Sequence, residues 1–185
     1  MADNQVWHSA NIPADFPTHN EIVNSCTKRG SNRNGVCIRV ANKQFWVKYG
    51  KDSIIRGEGR TQALVAGIVN ANPASVVRVP EVHLGFSREK RGYIVMDFIQ
   101  GVTIVERKSS EGKYDKNGIK AVAAAVQQLI NIKMPPGTAP GPVGGGRIGH
   151  DVFVDCLSTL KYPTVGHLET QINEVCFPLA FGTSH

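Results

Sequence analysis

The chain of 185 residues predicts an α+β fold, in which a small antiparallel sheet with one packed helix precedes a partly helical second half. Two β-rich runs at 36–40 and 44–49 are separated only by Ala41-Asn42-Lys43, the spacing of a hairpin. A helical pattern follows at 56–69, and a continuous apolar strand lies at 92–99. The later patterns are helical or irregular, which is typical of an α+β protein.

The composition is that of a globular protein, with 41% hydrophobic residues. No apolar run reaches the roughly 18 residues that a membrane helix needs. The segment Met1 to Gln5 lacks the basic and apolar regions of a secretory signal. The sequence therefore predicts a cytoplasmic protein, one domain or a lobed one, without a membrane partner.

The net charge of +6 indicates which partners to expect. The excess lies in the first hundred residues, with 13 basic against 8 acidic side chains. These residues are scattered, and neither a Lys/Arg-rich block nor an aromatic RNA-binding motif occurs, so a solvated basic surface without a nucleic-acid partner is predicted. The four cysteines are widely spaced and none has metal-ligand spacing to a histidine, which predicts free thiols and no metal site.

The first hundred residues contain further predicted features. Residues 1–16 form an arm. Thr18 and Glu21 have the spacing of a capping box, which predicts a helix over 19–29 that ends at Gly30. Asn72-Pro73 ends the helix at 56–69. Residues 76–82 are predicted to be extended, with 83–86 continuing that strand.

The second half contains the strongest helix pattern, at 117–133. Residues 134–149 hold four prolines and six glycines and predict no regular element. A last helix is predicted at 163–175. The apolar stripe of helix 117–133 needs a cover, so we expect the protein to form a homo-oligomer or to pack its C-terminal helices over that stripe.

The order of the elements suggests a chemistry. A hairpin carries Lys48 near its end, a helix carries Glu58 near its start, and two more strands follow. In phosphotransferases such a sheet covers a nucleotide: the lysine reaches the α- and β-phosphates, and the glutamate pairs with the ammonium and holds it in place.

At this point the chain resembles the aminoglycoside-phosphotransferase and choline-kinase-like proteins, in particular their fungal branch with the protein-kinase fold. The resemblance extends over about residues 36–175 and is carried by Phe45-Trp46-Val47-Lys48-Tyr49-Gly50, Gly57-Glu58-Gly59-Arg60-Thr61-Gln62-Ala63, Val79-Pro80-Glu81-Val82, Tyr93-Ile94-Val95-Met96-Asp97-Phe98-Ile99-Gln100-Gly101, Gly141-Pro142-Val143-Gly144-Gly145-Gly146 and Tyr162-Pro163-Thr164-Val165-Gly166-His167-Leu168. It implies a kinase-like N-lobe over residues 1–100 and a truncated helical C-lobe over 101–185, with 134–149 as a linker.

The resemblance also implies roles for individual residues. Lys48 would bind phosphate and Glu58 would be its helix partner, while the adenine pocket would be lined by Met96, Asp97, Phe98 and Ile99. The family's catalytic His-Gly-Asp, with the Asn and metal-binding Asp that follow it, has no counterpart before His185. The resemblance therefore implies a pseudokinase that does not transfer phosphate on its own.

Three functions follow from this comparison. The favoured one is a truncated kinase-like scaffold that binds a small molecule in the cleft between its lobes. It requires no cofactor, and ATP with Mg²⁺ would bind only where the nucleotide cleft is retained. The second is a biosynthetic enzyme of secondary metabolism, a cyclase or isomerase, with acid–base candidates Lys48, Glu58, Asp97 and His83. The third is a fragment of an ATP-dependent small-molecule phosphotransferase.

Each candidate also has a simpler interpretation. Lys48 near the end of a strand is commonly a solvated lysine, and Glu58 near a helix start is favourable to the helix dipole. Asp97 within an apolar strand is interpreted either as a hydrogen-bonded structural carboxylate or as a functional one. His83 is more typical of a hydrogen-bonded strand residue than of a catalytic base. The sequence leaves open whether any reaction is catalysed.

Overall fold

A computed structural model describes residues 4–28, 35–104, 106–107, 112, 114–150 and 152–176. The predicted helix end at Gly30 lies outside these residues. The chain divides into two compact units, Met1–Lys133 and Met134–His185. Within the described residues, none of the helices combines the length and apolarity required to cross a membrane.

The first unit is built on a five-stranded antiparallel sheet in the order β1-β4-β5-β3-β2. Its strands are β1 (Gln5–Ser9), β2 (Gly35–Val40), β3 (Lys43–Lys51), β4 (Val82–Arg88) and β5 (Arg91–Asp97). The β2–β3 hairpin closes from Gly35 opposite Lys48 to Val40 opposite Lys43. The central strand β5 pairs with β3 on one side and with β4 on the other. With the helices described below, this sheet confirms the predicted α+β class.

Side chains alternate between the two faces of the sheet, and each face packs against its own helix. Helix α1 (His19–Lys28) buries Ile22 and Cys26 against one face, where they belong to a core cluster with Phe45, Val47, Tyr49, Leu84, Phe86, Tyr93 and Val95. Helix α2 (Asp52–Asn70) packs Ile55 on the other face, against Val82, Ile94 and Met96. The sheet is therefore covered on both faces.

The predicted capping box at the start of α1 is present. The Thr18 N–H donates to Oε2 of Glu21 at 2.7 Å, and the Glu21 N–H donates back to the Thr18 hydroxyl at 3.3 Å. The predicted helix bounds of 19–29 agree with the observed helix to one residue.

The first strand was missed, because the predicted arm contains β1. This strand pairs with β4, from Gln5 opposite Ser87 to Ser9 opposite Leu84. Its Trp7 ring lies against two glycines, and a Cβ at Gly85 would be 2.4 Å from that ring. Arg56 of α2 lies 6.0 Å from the ring centroid and donates to the Gln5 side chain at 3.2 Å. These contacts are made by residues distant in sequence, so no local sequence pattern predicts them.

The segment 76–82, predicted to be extended, joins the sheet only at its last residue, since β4 begins at Val82. The Asn70 side chain donates to the Val79 carbonyl at 2.8 Å and accepts from the Val79 N–H at 3.0 Å. The Asn70 amide thus occupies the N–H and the carbonyl of Val79, which pairing with a neighbouring strand would need, and residues 76–81 form a loop. The strand then runs through 83–86, as predicted, and on to Arg88.

Helix α3 (Lys116–Ile130) confirms the strongest predicted helix. The Asp115 carboxylate caps it by accepting from the N–H groups of Asn117 at 3.0 Å and Gly118 at 3.2 Å. None of its residues is buried. The apolar stripe is exposed to between 38% and 69% at Ile119, Val122, Val126, Leu129 and Ile130. The expectation that the stripe needs a cover therefore stays a prediction.

The second unit contains α4 (Val165–Cys176) and a 3-10 turn at Val154–Cys156. Residues 134–149 carry no helix or strand, as their prolines and glycines predict. Ser158 is fully buried and connects two segments, because its hydroxyl accepts from the Ile148 N–H at 2.9 Å and donates to the Leu160 carbonyl at 2.8 Å.

Candidate functional site

Lys48 and Glu58 form an ion pair on the α2 face of the sheet. Phe45 and Val47 of β3 belong to the α1-side core, so alternation places Trp46 and Lys48 on the opposite face. Strand β3 ends at Lys51 and α2 begins at Asp52, so the helix folds back directly over the strand. This connection carries Glu58, in the second turn of α2, to the ammonium of Lys48.

The pair is partly accessible, with both side chains 35% exposed. An ammonium has three N–H donors, and the only partner of Lys48 within the described ranges is Glu58. The remaining donors are thus available to an anion approaching from solvent. The carboxylate fixes the direction of the ammonium, which is the role that a paired glutamate has beside a phosphate-binding lysine.

Trp46, on the same face of the sheet as Lys48, lies near a second aromatic ring, that of Phe98. Trp46 is two residues before Lys48 and has its ring centroid 6.4 Å from that of Phe98. Gly35 leaves room for the indole, since a Cβ there would lie 2.5 Å from Cζ2 of Trp46. Trp46 and Phe98 are half-buried, so part of each ring surface faces solvent.

The other residues predicted to line an adenine pocket are distributed differently. Met96 is only 4% exposed and belongs to the core under α2, where its sulfur accepts from the Gln62 side chain at 3.1 Å. Ile99 is 52% exposed. Asp97 is the cross-strand partner of Phe45, so its side chain lies on the α1 side of the sheet.

His83 and Asp97 form a second pair, with Nε2 2.8 Å from Oδ1. The other carboxylate oxygen accepts from the Glu81 N–H at 3.0 Å. The second ring nitrogen of His83 lies 3.1 Å from the Asn11 carbonyl. His83 is 7% exposed, between the rings of Phe16 and Phe45. Both ring nitrogens are therefore engaged, and the contacts are those of a structural network.

The structure thus brings the four acid–base candidates together as two pairs and not as one site. Lys48 with Glu58 lies on the α2 face, and His83 with Asp97 lies on the α1 face. A single small substrate cannot contact both pairs, because the sheet separates them.

One feature that the sequence did not indicate is a cavity of about 380 Å³ beside the C-terminal half of α2. We call it the arm cavity, and its lining includes His8, Asn11, Ala66, Gly67, Asn70 and Glu81. Lys48 is not among its lining residues. The cavity depends on the pairing of β1 with β4, which joins segments far apart in the sequence. Local patterns therefore predict neither β1 nor the cavity.

Comparison with known protein families, curated proteins and solved structures finds no match to this chain. Among the residues that the structure describes, no group of three or more His, Cys, Asp or Glu side chains is arranged to hold a metal ion.

Proposed function

We propose that the first unit is a kinase-like N-lobe that binds a small phosphate-bearing molecule, a nucleotide in the first instance, at Lys48. The observation that carries this proposal is the Lys48–Glu58 ion pair between β3 and α2. A strand lysine paired with a glutamate of the adjacent helix is the arrangement with which protein kinases position an ammonium against the phosphates of ATP.

Stability alone is a weak reason for this pair. Ion pairs with this degree of exposure contribute about 0–1 kcal/mol, because water screens them and both long side chains lose rotamer freedom. A phosphate would use the free N–H donors of Lys48, and each charge-assisted hydrogen bond is about twice as strong as a neutral one. The arrangement is therefore better suited to binding an anion than to holding the fold together.

Two further features agree with a phosphate ester that carries a ring. Trp46 lies on the same face of the sheet as Lys48, and its ring together with the neighbouring ring of Phe98 offers a surface on which a planar base can stack. The net charge of +6 raises the local concentration of anions around the protein.

For the alternative function, a cyclase or isomerase, the candidate acid–base residues reduce to the same pair, Lys48 and Glu58. His83 has both ring nitrogens engaged in contacts with Asp97 and Asn11, which leaves it no free nitrogen to act as a base. Both carboxylate oxygens of Asp97 are engaged, one with His83 and one with the Glu81 N–H, so of the four acid–base candidates Lys48 and Glu58 remain for a cyclase or isomerase on this scaffold. Such an enzyme and a binding protein would place their ligand at the same position.

Thermal unfolding with ATP and Mg²⁺ tests the proposal. At a ligand concentration of 100 times Kd, binding stabilises the folded chain by about 2.7 kcal/mol. For a chain of this size that corresponds to a Tm increase of roughly 5–10 °C. Lys48→Met should remove the increase while changing the Tm of the ligand-free protein by little, since the pair is partly exposed.

Lys43→Ala is the matched control, because Lys43 lies exposed on the same strand and its substitution removes the same charge. It should leave the ATP-dependent Tm increase intact. An unchanged Tm with ATP, ADP and inorganic phosphate at millimolar concentrations would contradict the proposal, and so would an equal increase in the wild type and Lys48→Met.

A further inference from the structure

The arm cavity has the dimensions of a ligand site. Its volume of about 380 Å³ lies within the roughly 300–1,000 Å³ that small-molecule sites occupy. One wall is the segment that begins at β1 and runs through Asn11, and the opposite wall is the C-terminal half of α2, where the small residues Ala66 and Gly67 leave space. The start of β4, at Glu81 and Val82, completes the lining.

Long-range hydrogen bonds hold the wall that the N-terminal segment provides. The Ala10 N–H donates to the His83 carbonyl at 2.9 Å, and the Asn11 carbonyl lies 3.1 Å from Nδ1 of His83. Nε2 of His8 lies 2.8 Å from the Val82 carbonyl. Since His83 is itself held by Asp97, the wall is fixed to the sheet before any ligand binds, which lowers the entropic cost of binding.

The one charged side chain of the lining, Glu81, is a hydrogen-bond acceptor. The Glu81 carboxylate has no hydrogen-bond or ion-pair partner within the described part of the chain. A carbonyl only accepts, so Nε2 of His8 carries the hydrogen toward Val82, and Nδ1 of the neutral ring is an acceptor. The Asn70 amide is fully used by the backbone of Val79.

From this lining we infer that the arm cavity binds a small protonated amine with a compact apolar body. The ammonium would donate to Glu81 and to Nδ1 of His8, and the apolar body would contact Ala63, Ala66 and Val82. This site is independent of the proposed phosphate site, because Lys48 and Glu58 do not line the cavity.

Three ligands of equal shape test the charge requirement: adamantan-1-ammonium, adamantan-1-ol and adamantane-1-carboxylate. Each is titrated into the full chain while the backbone amide signals of Ala66 and Gly67 are followed by NMR. The ammonium should produce saturable shifts of these signals, and the carboxylate should produce none. An equal response to all three, or no saturable shift with the ammonium, overturns the inference.

Variants locate the site. Glu81→Gln should weaken binding of adamantan-1-ammonium by at least about tenfold, the loss expected when a hydrogen bond to a charged group is removed. Glu169→Gln makes the same charge change on exposed α4 and should leave affinity unchanged. Gly67→Leu should fill the cavity and abolish binding, and it should stay folded, since a Cβ at Gly67 meets nothing within 4 Å. Unchanged affinity for adamantan-1-ammonium in Glu81→Gln or Gly67→Leu overturns the assignment. Lys48→Met changes the separate phosphate site and should leave this affinity unchanged.

Discussion

Two glycines of the same helix are expected to respond to the same substitution with opposite signs. Gly59 and Gly67 both lie inside α2, where replacement of glycine by alanine stabilises a helix by about 0.8–1 kcal/mol. A Cβ at Gly67 meets nothing within 4 Å, so Gly67→Ala should gain the full amount. A Cβ at Gly59 would lie 2.5 Å from Cγ2 of Ile94 and 2.6 Å from Cη2 of Trp7.

The clash at Gly59 has no inexpensive relief. Ile94 is fully buried in the central strand, and the Trp7 ring lies against both Gly59 and Gly85. Overpacking a core in this way costs about 1–3 kcal/mol, and two close approaches place this site in the upper half of that range. Subtracting the gain in helix propensity leaves Gly59→Ala destabilised by about 1–2 kcal/mol.

Urea denaturation followed by circular dichroism at 222 nm measures both free energies of unfolding. Because helix propensity is common to the two variants, their difference isolates the packing cost, expected at about 2–3 kcal/mol. Trp7→Leu should reduce that cost, so a double-mutant cycle between Trp7 and Gly59 should give a coupling energy of about 0.5 kcal/mol or more. Equal stabilities of the two alanine variants, within about 0.5 kcal/mol, would refute the packing of Trp7 and Ile94 on Gly59.

Three further outcomes are expected. Hydrogen bonds from the backbone N–H and the hydroxyl of Thr18 lower the pKa of Glu21. The stability that this carboxylate contributes is present above its unfolded pKa and lost as the pH falls through the folded one. An NMR titration should show the lowered pKa in the wild type and a partial return toward the ordinary value in Thr18→Ala, which removes the hydroxyl donor and keeps the backbone donor. Burial raises the pKa of the Cys26 thiol to about 12 from its ordinary 9.0. Treatment of the native protein with iodoacetamide at pH 8 should therefore leave Cys26 unlabelled, as read by mass spectrometry, and labelling of Cys26 would contradict its burial. The free energy of unfolding should fall between pH 9 and 12, where the thiol ionises only in the unfolded chain. The exposed stripe of α3 predicts self-association, so light scattering should report a mass above 20.1 kDa that Val126→Glu returns to the monomer value, and a monomeric wild type would refute it.

Local patterns were sufficient where a residue's neighbours in sequence decide its structure. The capping box of Thr18 and Glu21 set the start of α1, since its partners are three residues apart. The hairpin at 36–49 and the helix after it were likewise evident, because alternation and a period of 3.6 follow from backbone geometry. The same local order placed Lys48 and Glu58 ten residues apart on consecutive elements, which is why their pairing could be anticipated.

Tertiary structure decided what depends on contacts between distant segments. Strand β1 exists because β4, more than 70 residues away, supplies its hydrogen-bond partners, and the arm cavity exists because β1 lies there. Residues 76–81, predicted to be extended, precede the sheet, and the Asn70 side chain binds both backbone groups of Val79 there. The side chain of Asp97 lies on the face opposite to Lys48, because the register between β3 and β5 places Asp97 opposite Phe45. No single strand encodes that register, and it is the register that puts the two candidate pairs on opposite faces of the sheet.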